Sequence, residues 1–128
     1  MKRILLIAAV VSLAFLQVGC KSKHEQVMDD QLDLMEEMVD VLKDVKDEAS
    51  AKAAVPKLED LKKRGEEIQK RAKEIGDPSE EEEKALKEKY EERMDKIMKD
   101  MFAEMTRVMA DEKCREVLAG KMPMGGMD

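Results

Sequence analysis

The sequence predicts an all-α protein: an antiparallel three-helix bundle behind an apolar N-terminal segment, with a short C-terminal fourth helix if the chain breaks at Asp111. Three observations carry this reading. From Glu25 onward, apolar residues recur at steps of three and four, the helical repeat, through three long stretches. Strong chain-breaking residues gather at one internal place, Gly76-Asp77-Pro78-Ser79. Charged residues make up 42% of the chain and aromatics 2%, a balance that suits elongated helices around a narrow core better than a thick globule.

The first helix is placed at Glu25–Glu48. Met28, Met35 and Leu42 recur every seven residues, Met38 and Val45 complete the three-four spacing, and Val27, Leu34 and Val41 widen the stripe. Its polar side is acidic, with Asp29, Asp33, Glu36, Glu37, Asp40 and Asp44. The second helix is placed from an N-cap at Ser50 to Ile75, on Ala51, Ala54, Leu58, Leu61, Gly65, Ile68, Ala72 and Ile75. Pro56 falls inside it. A proline beyond the first turn removes a hydrogen bond, so either the regular helix starts near Val55 or the helix bends. The small residues on this stripe let a neighbour approach closely. The second helix is rich in lysine and arginine, which makes it a natural antiparallel neighbour for the acidic first helix across a turn near Asp47–Ser50.

Gly76 is expected to cap the second helix in the left-handed conformation. Ser79 is expected to cap the third, with Glu82 completing a capping box. The third helix carries Leu86, Tyr90, Met94, Ile97, Met101, Met105 and Val108, with Met98, Phe102 and Met109 broadening the face. If it ran unbroken to Ala119 it would be roughly 60 Å long, and Val108, Met109, Val117 and Leu118 would overhang the other helices. Ala110-Asp111-Glu112 reads as a restart. A break there would let Glu112–Ala119 fold back over the open end, whereas a straight helix would need a partner, such as a second copy. Gly120 ends this region.

Composition excludes several function classes. The chain has 24 Lys and Arg against 30 Asp and Glu, the wrong sign for neutralising phosphates, so nucleic acid is not an expected partner. Without Trp, aromatic platforms for sugars or bases are lacking. No nucleophile–base–orienter set and no Gly-rich phosphate loop is visible, so an enzyme is not expected. With His24 as the single histidine, the Glu-x-x-His motifs of helical di-metal sites are missing.

The N-terminus has a sharper character. Lys2 and Arg3 precede an apolar run, Ile4–Leu16, that is short for a membrane span and right for the core of a signal peptide. Val18, Gly19 and Cys20 follow, and then Lys21-Ser22-Lys23. This segment resembles the lipobox of bacterial lipoproteins, with Gln17 standing where leucine is usual. The resemblance implies a signal peptide over 1–19, and a Cys20 that becomes the new N-terminus and carries fatty acyl chains such as palmitate. The bundle, over 20–119, would then be tethered to a membrane; beyond it Pro123, Gly125 and Gly126 make 120–128 an expected flexible Met-rich tail. Lys21 in place of an inner-membrane-retaining Asp implies, for a Gram-negative cell, the outer membrane facing the periplasm. The expected role is a non-enzymatic structural or interaction module of the cell envelope, held by its lipid and touching an envelope protein.

Two motifs leave alternatives open. The chain has 12 methionines, and Met94, Met98, Met101, Met105 and Met109 share one side of the third helix. They read first as adaptable core; a soft groove for partner segments and Cu(I) ligation by thioether sulfur are the functional alternatives. Met122, Met124 and Met127 in the tail resemble the Met-x-Met and Met-x-x-Met motifs of some periplasmic copper proteins, beside the plainer reading of a degenerate tail. Cys114 reads as a small buried side chain; the alternative is an intermolecular disulfide.

Overall fold

The computed structural model describes residues 21–122. Four helices and no strand lie among them: α1, Lys23–Lys43; α2, Glu48–Ile75; α3, Glu80–Ala110; and α4, Glu112–Leu118. The protein is all-α, as its periodicity predicts. The signal segment 1–19, Cys20, Met124 and Met127 lie outside the described residues.

The helix ends follow from capping. Ser22 accepts the backbone N–H of Glu25 at 3.1 Å and starts α1. α1 stops at Lys43, short of the expected Glu48, because the next residues are committed to starting α2. Asp47, not Ser50, is the N-cap of α2. Its carboxylate accepts the Ser50 N–H at 2.8 Å, while the Ser50 hydroxyl accepts the Asp47 N–H at 3.0 Å. This reciprocal pair, a capping box with serine in the third position, places Ser50 inside the helix. α2 then runs through Pro56 without interruption, so its regular start is not delayed to Val55. Pro56 and Lys52 are both exposed, which leaves the carbonyl that the proline cannot serve open to water.

Gly76 has the expected positive φ of 77°, but its ψ of −171° is extended, not helical. That conformation belongs almost entirely to glycine. Ser79 caps α3 by accepting the Glu82 N–H at 3.3 Å. The capping box expected there is only half made, because the Glu82 carboxylate lies 3.2 Å from Nδ1 of His24 on α1. The chain breaks at Asp111, whose carboxylate accepts the Cys114 N–H at 2.9 Å and begins α4.

The packing order differs from a closed bundle in which every helix meets the others. α1 packs against both α2 and α3, whereas α2 and α3 make no close approach to each other among the described residues. α1 is therefore the middle of a three-helix layer. Arg64 on α2 meets Glu37 and Arg71 meets Asp30, so α2 runs antiparallel to α1. Lys89 on α3 meets Glu25 and Arg107 reaches Leu42, so α3 runs parallel to α1. α4 touches both α2 and α3, bridging them at the end away from Ser22.

The core divides accordingly. One cluster joins Leu34, Met38, Leu42 and Val45 of α1 and its turn to Ala51, Ala54, Leu58 and Leu61 of α2, with Val108, Cys114 and Leu118 closing the distal end. A second joins Leu32 of α1 to Leu86, Tyr90 and Ile97 of α3. Gly65 lets α1 and α2 draw close, since a Cβ there would stand 3.3 Å from Cδ2 of Leu34. The acidic face of α1 pairs with α3 as much as with the expected α2. Arg93 makes two bonds to Glu36, at 2.9 and 3.0 Å, and a third to Asp33.

Candidate functional site

The feature that the fold does not use is on α3. Leu86, Tyr90 and Ile97 turn to α1 and are buried. Arg93 meets the carboxylates along one edge of that contact. At 3.6 residues per turn, Met94, Met98 and Phe102 fall on the other edge, one turn apart from each other. They are the large apolar residues that stand exposed among the described ones: Met94 at 38%, Met98 at 53% and Phe102 at 74%. The sequence places all three in the core. They are uncovered because α1 fills only one side of α3 and α2 does not reach the other. Met101 and Met105, beside them, are half-buried against the α1–α2 core cluster.

At the distal end α4 touches both α2 and α3. Cys114 and Leu118 are buried there, and Lys121 pairs with Glu59 of α2 at 3.0 Å. Met122, one of the candidate sulfur ligands, is half-buried against the same core cluster as Met101 and Met105. Cys114 is 2% exposed. Its burial, and then the neighbouring Asp111 charge, raise its thiol above the ordinary range. As folded it is a packed apolar side chain; a disulfide to another chain would require α4 to lift first. Asp111 in turn is held below the usual carboxylate range by the Cys114 backbone N–H.

The proximal end is polar. Nε2 of His24 lies 2.9 Å from the Gly76 carbonyl, and its other nitrogen faces Glu82. Thus the start of α1 is clasped to the α2–α3 turn. Nearby, a shallow cleft is lined by Lys21, Gln26, Asp29, Asp33 and Arg93. The hydroxyl of Tyr90 is buried beneath this region without a hydrogen-bond partner among the described residues. Burial first, and the Asp29 carboxylate second, oppose its ionisation. Lys89 sits 5.5 Å above the Tyr90 ring. The carboxylates here are matched by Lys21, Lys89 and Arg93, and no group of three or more His, Cys, Asp or Glu among the described residues is arranged to hold a metal ion. No described helix is long and apolar enough to cross a membrane.

Sequence reasoning missed the split between the two sides of α3, and with it Leu32 and Val39, both buried on α1. The signal was present: those two residues form a second apolar stripe, which a helix at the middle of a layer requires. Comparison with protein families, with curated proteins and with solved structures finds no match for this chain.

Proposed function

We propose that this protein is a lipid-anchored module of the cell envelope that engages another envelope protein and performs no chemistry. The observation that carries the interaction reading is the exposed Met94–Met98–Phe102 strip on an otherwise charged surface. Contiguous apolar surface on a small domain is a usual mark of a contact, and methionine suits a surface that must adapt to its partner. The anchoring reading rests on the lipobox resemblance at Val18-Gly19-Cys20. It fits the geometry in one respect: α1 starts at Lys23, so a lipid on Cys20 would hold the His24–Gly76 end at the membrane. α3, about 46 Å long, would then carry the strip outward, into the periplasm if the cell is Gram-negative.

The anchor is tested by Cys20→Ala, which should leave the protein unprocessed or release it from the membrane fraction. Unchanged fractionation would refute lipidation. The partner is tested with a photo-crosslinking residue at position 98. One specific adduct with an envelope protein, absent when the probe is moved to the exposed position of Lys63 on α2, supports the reading. Equal labelling at both positions refutes it.

Copper handling is the second reading, and one observation favours it. Met122 is half-buried against the core cluster on which Met101 and Met105 also pack, and thioether sulfurs are soft ligands for Cu(I). Stoichiometric Cu(I) binding lost on replacing Met122, Met124 and Met127 would support it.

A further inference from the structure

We propose that the Glu82 side chain exchanges partners with pH: it ties the start of α3 to His24 of α1 when that ring is an imidazolium, and turns back to the Ser79 backbone N–H when the ring is neutral. The contacts of His24 carry this. Nε2 lies 2.9 Å from the Gly76 carbonyl oxygen, and Nδ1 lies 3.2 Å from a Glu82 carboxylate oxygen. Both partners are acceptors. A neutral imidazole has one N–H and one bare nitrogen, so it serves one oxygen and turns a lone pair toward the other. The imidazolium donates to both. On losing a proton the ring keeps the carbonyl, which the backbone of the turn fixes in place, and the Glu82 side chain is the one free to move.

Glu82 has a second partner at hand. Ser79 caps α3, and Glu82 is the third residue after it, the position from which a carboxylate accepts the N–H of the capping residue. The Glu82 carboxyl is held below its ordinary value of 4.5 first by the Ser22 hydroxyl, then by His24 and, least, by the Ser79 N–H. Both destinations are therefore within its reach, and it stays ionised over the range in which histidine titrates. The tie matters because little else holds this end of α3. Leu86 is the first buried residue of the helix. Among the described residues Glu82 is the one side chain of Glu80–Ala85 that bonds to α1, and the next tie is Lys89 to Glu25. Other charged groups nearby do not stand in for Glu82. Lys21 is paired with Asp29 and Glu25 with Lys89, while Lys23, Lys73 and Asp77 are exposed and in no ion pair among the described residues. One bond replaces another, so the exchange leaves overall stability nearly unchanged while freeing the first turn of α3 from α1. The inference stands apart from the lipid anchor and from the identity of any partner.

The test uses the full chain, held in detergent micelles, in an NMR titration from about pH 5 to about pH 8. The His24 ring nitrogens should pass from both protonated to the Nε2–H tautomer. With the same midpoint, cross-peaks between the His24 ring and Glu82 should disappear. The Ser79 amide should shift downfield in step, and its exchange, corrected for base catalysis, should slow at least about threefold, the worth of a weak hydrogen bond. His24→Leu should leave Ser79 protected at every pH. Glu82→Ala should leave it unprotected at every pH while the ring still titrates. Both side chains are only half-buried, so circular dichroism should be unchanged in each variant. A Ser79 amide that stays constant while the ring titrates would overturn the proposal. So would a Ser79 step that survives Glu82→Ala, which would be the ring charge acting through space, or His24–Glu82 cross-peaks that persist to the alkaline end.

Discussion

Arg107 of α3 donates from both ends of its guanidinium to the end of α1 and the turn after it, to the Leu42 carbonyl at 2.7 Å and to the Val45 carbonyl at 2.7 Å. The last carbonyls of a helix have no partners within it. A cation at that position both satisfies them and opposes the negative end of the helix dipole. Glu104, one turn earlier on α3, steadies the same guanidinium at 2.7 Å. The end of α1 is thus closed by a residue far along the chain, and the closure depends on α3 running parallel to α1.

Arg107→Met keeps the aliphatic stem and removes the donors. It should cost about 1–3 kcal/mol, chiefly the penalty for leaving the partly buried Val45 carbonyl unserved, since the Leu42 carbonyl still accepts the Val45 N–H. Arg107→Lys should recover only part of this, because an ammonium cannot fork to two carbonyls in fixed geometry. Urea midpoints of the three proteins check the ranking.

Leu61 is 3% exposed in the α1–α2 core. Leu61→Ala should destabilise by about 2–5 kcal/mol, a large share of the stability of so small a domain. Leu61→Asp should not fold. Phe102→Ser, at the exposed strip, should change the melting temperature far less, and that contrast separates core from surface.

Acid should weaken the ion pairs that α1 makes with α2, with α3 and with Lys21 before it. Arg93 holds the Glu36 carboxyl below its ordinary value of 4.5, Arg64 does the same for Glu37, and Lys21 for Asp29, whose ordinary value is 3.8. A carboxyl whose folded pKa is depressed contributes stability that is full above its unfolded pKa and lost as pH falls through the folded one. Stability should therefore be flat from pH 7 to about 5 and fall below about 4. Arg93→Met should make that fall shallower. Urea titrations at pH 7, 5 and 3 measure it, and equal slopes in the two proteins would show that the pairs are too well solvated to matter.

Cys114 reports on α4. In the folded protein its reaction with a thiol reagent at pH 8 should be slow, limited by opening of α4, and should become fast in urea. Asp111→Ala removes the acceptor that starts α4 and should speed labelling in native buffer. Labelling of Cys114 as fast as in urea, before either change, would contradict the folded-back end.

The legible part of this fold was local. The three-four spacing of Leu58, Leu61 and their neighbours, the break at Gly76–Ser79 and the restart at Asp111 are all written in short stretches, where one side chain and the next few backbone groups settle the outcome. One cap shifted because near-equivalent choices competed: Asp47 and Ser50 can each start a helix, and they do so together. The order of the helices was not legible. An amphipathic stripe says that a face is buried and not by what, so Met94, Met98 and Phe102 read as core until the position of α1 left them outside. The same holds for Glu82, which a local rule assigns to Ser79 and which the fold gives to His24. Cys20 and the lipid reading rest on sequence alone.

The parallel course of α1 and α3 has a mechanical consequence. If α1 is fixed at its start and a load is applied along the bundle through the far part of α3, the two helices are pulled past each other lengthwise. Every contact between them, from Glu25–Lys89 to Leu42–Arg107, then bears the load at once and none can be peeled away first. An antiparallel pair joined by a turn and pulled from its two free ends would open one contact at a time. This arrangement makes the domain a stiff tether along its length and a weak one across it.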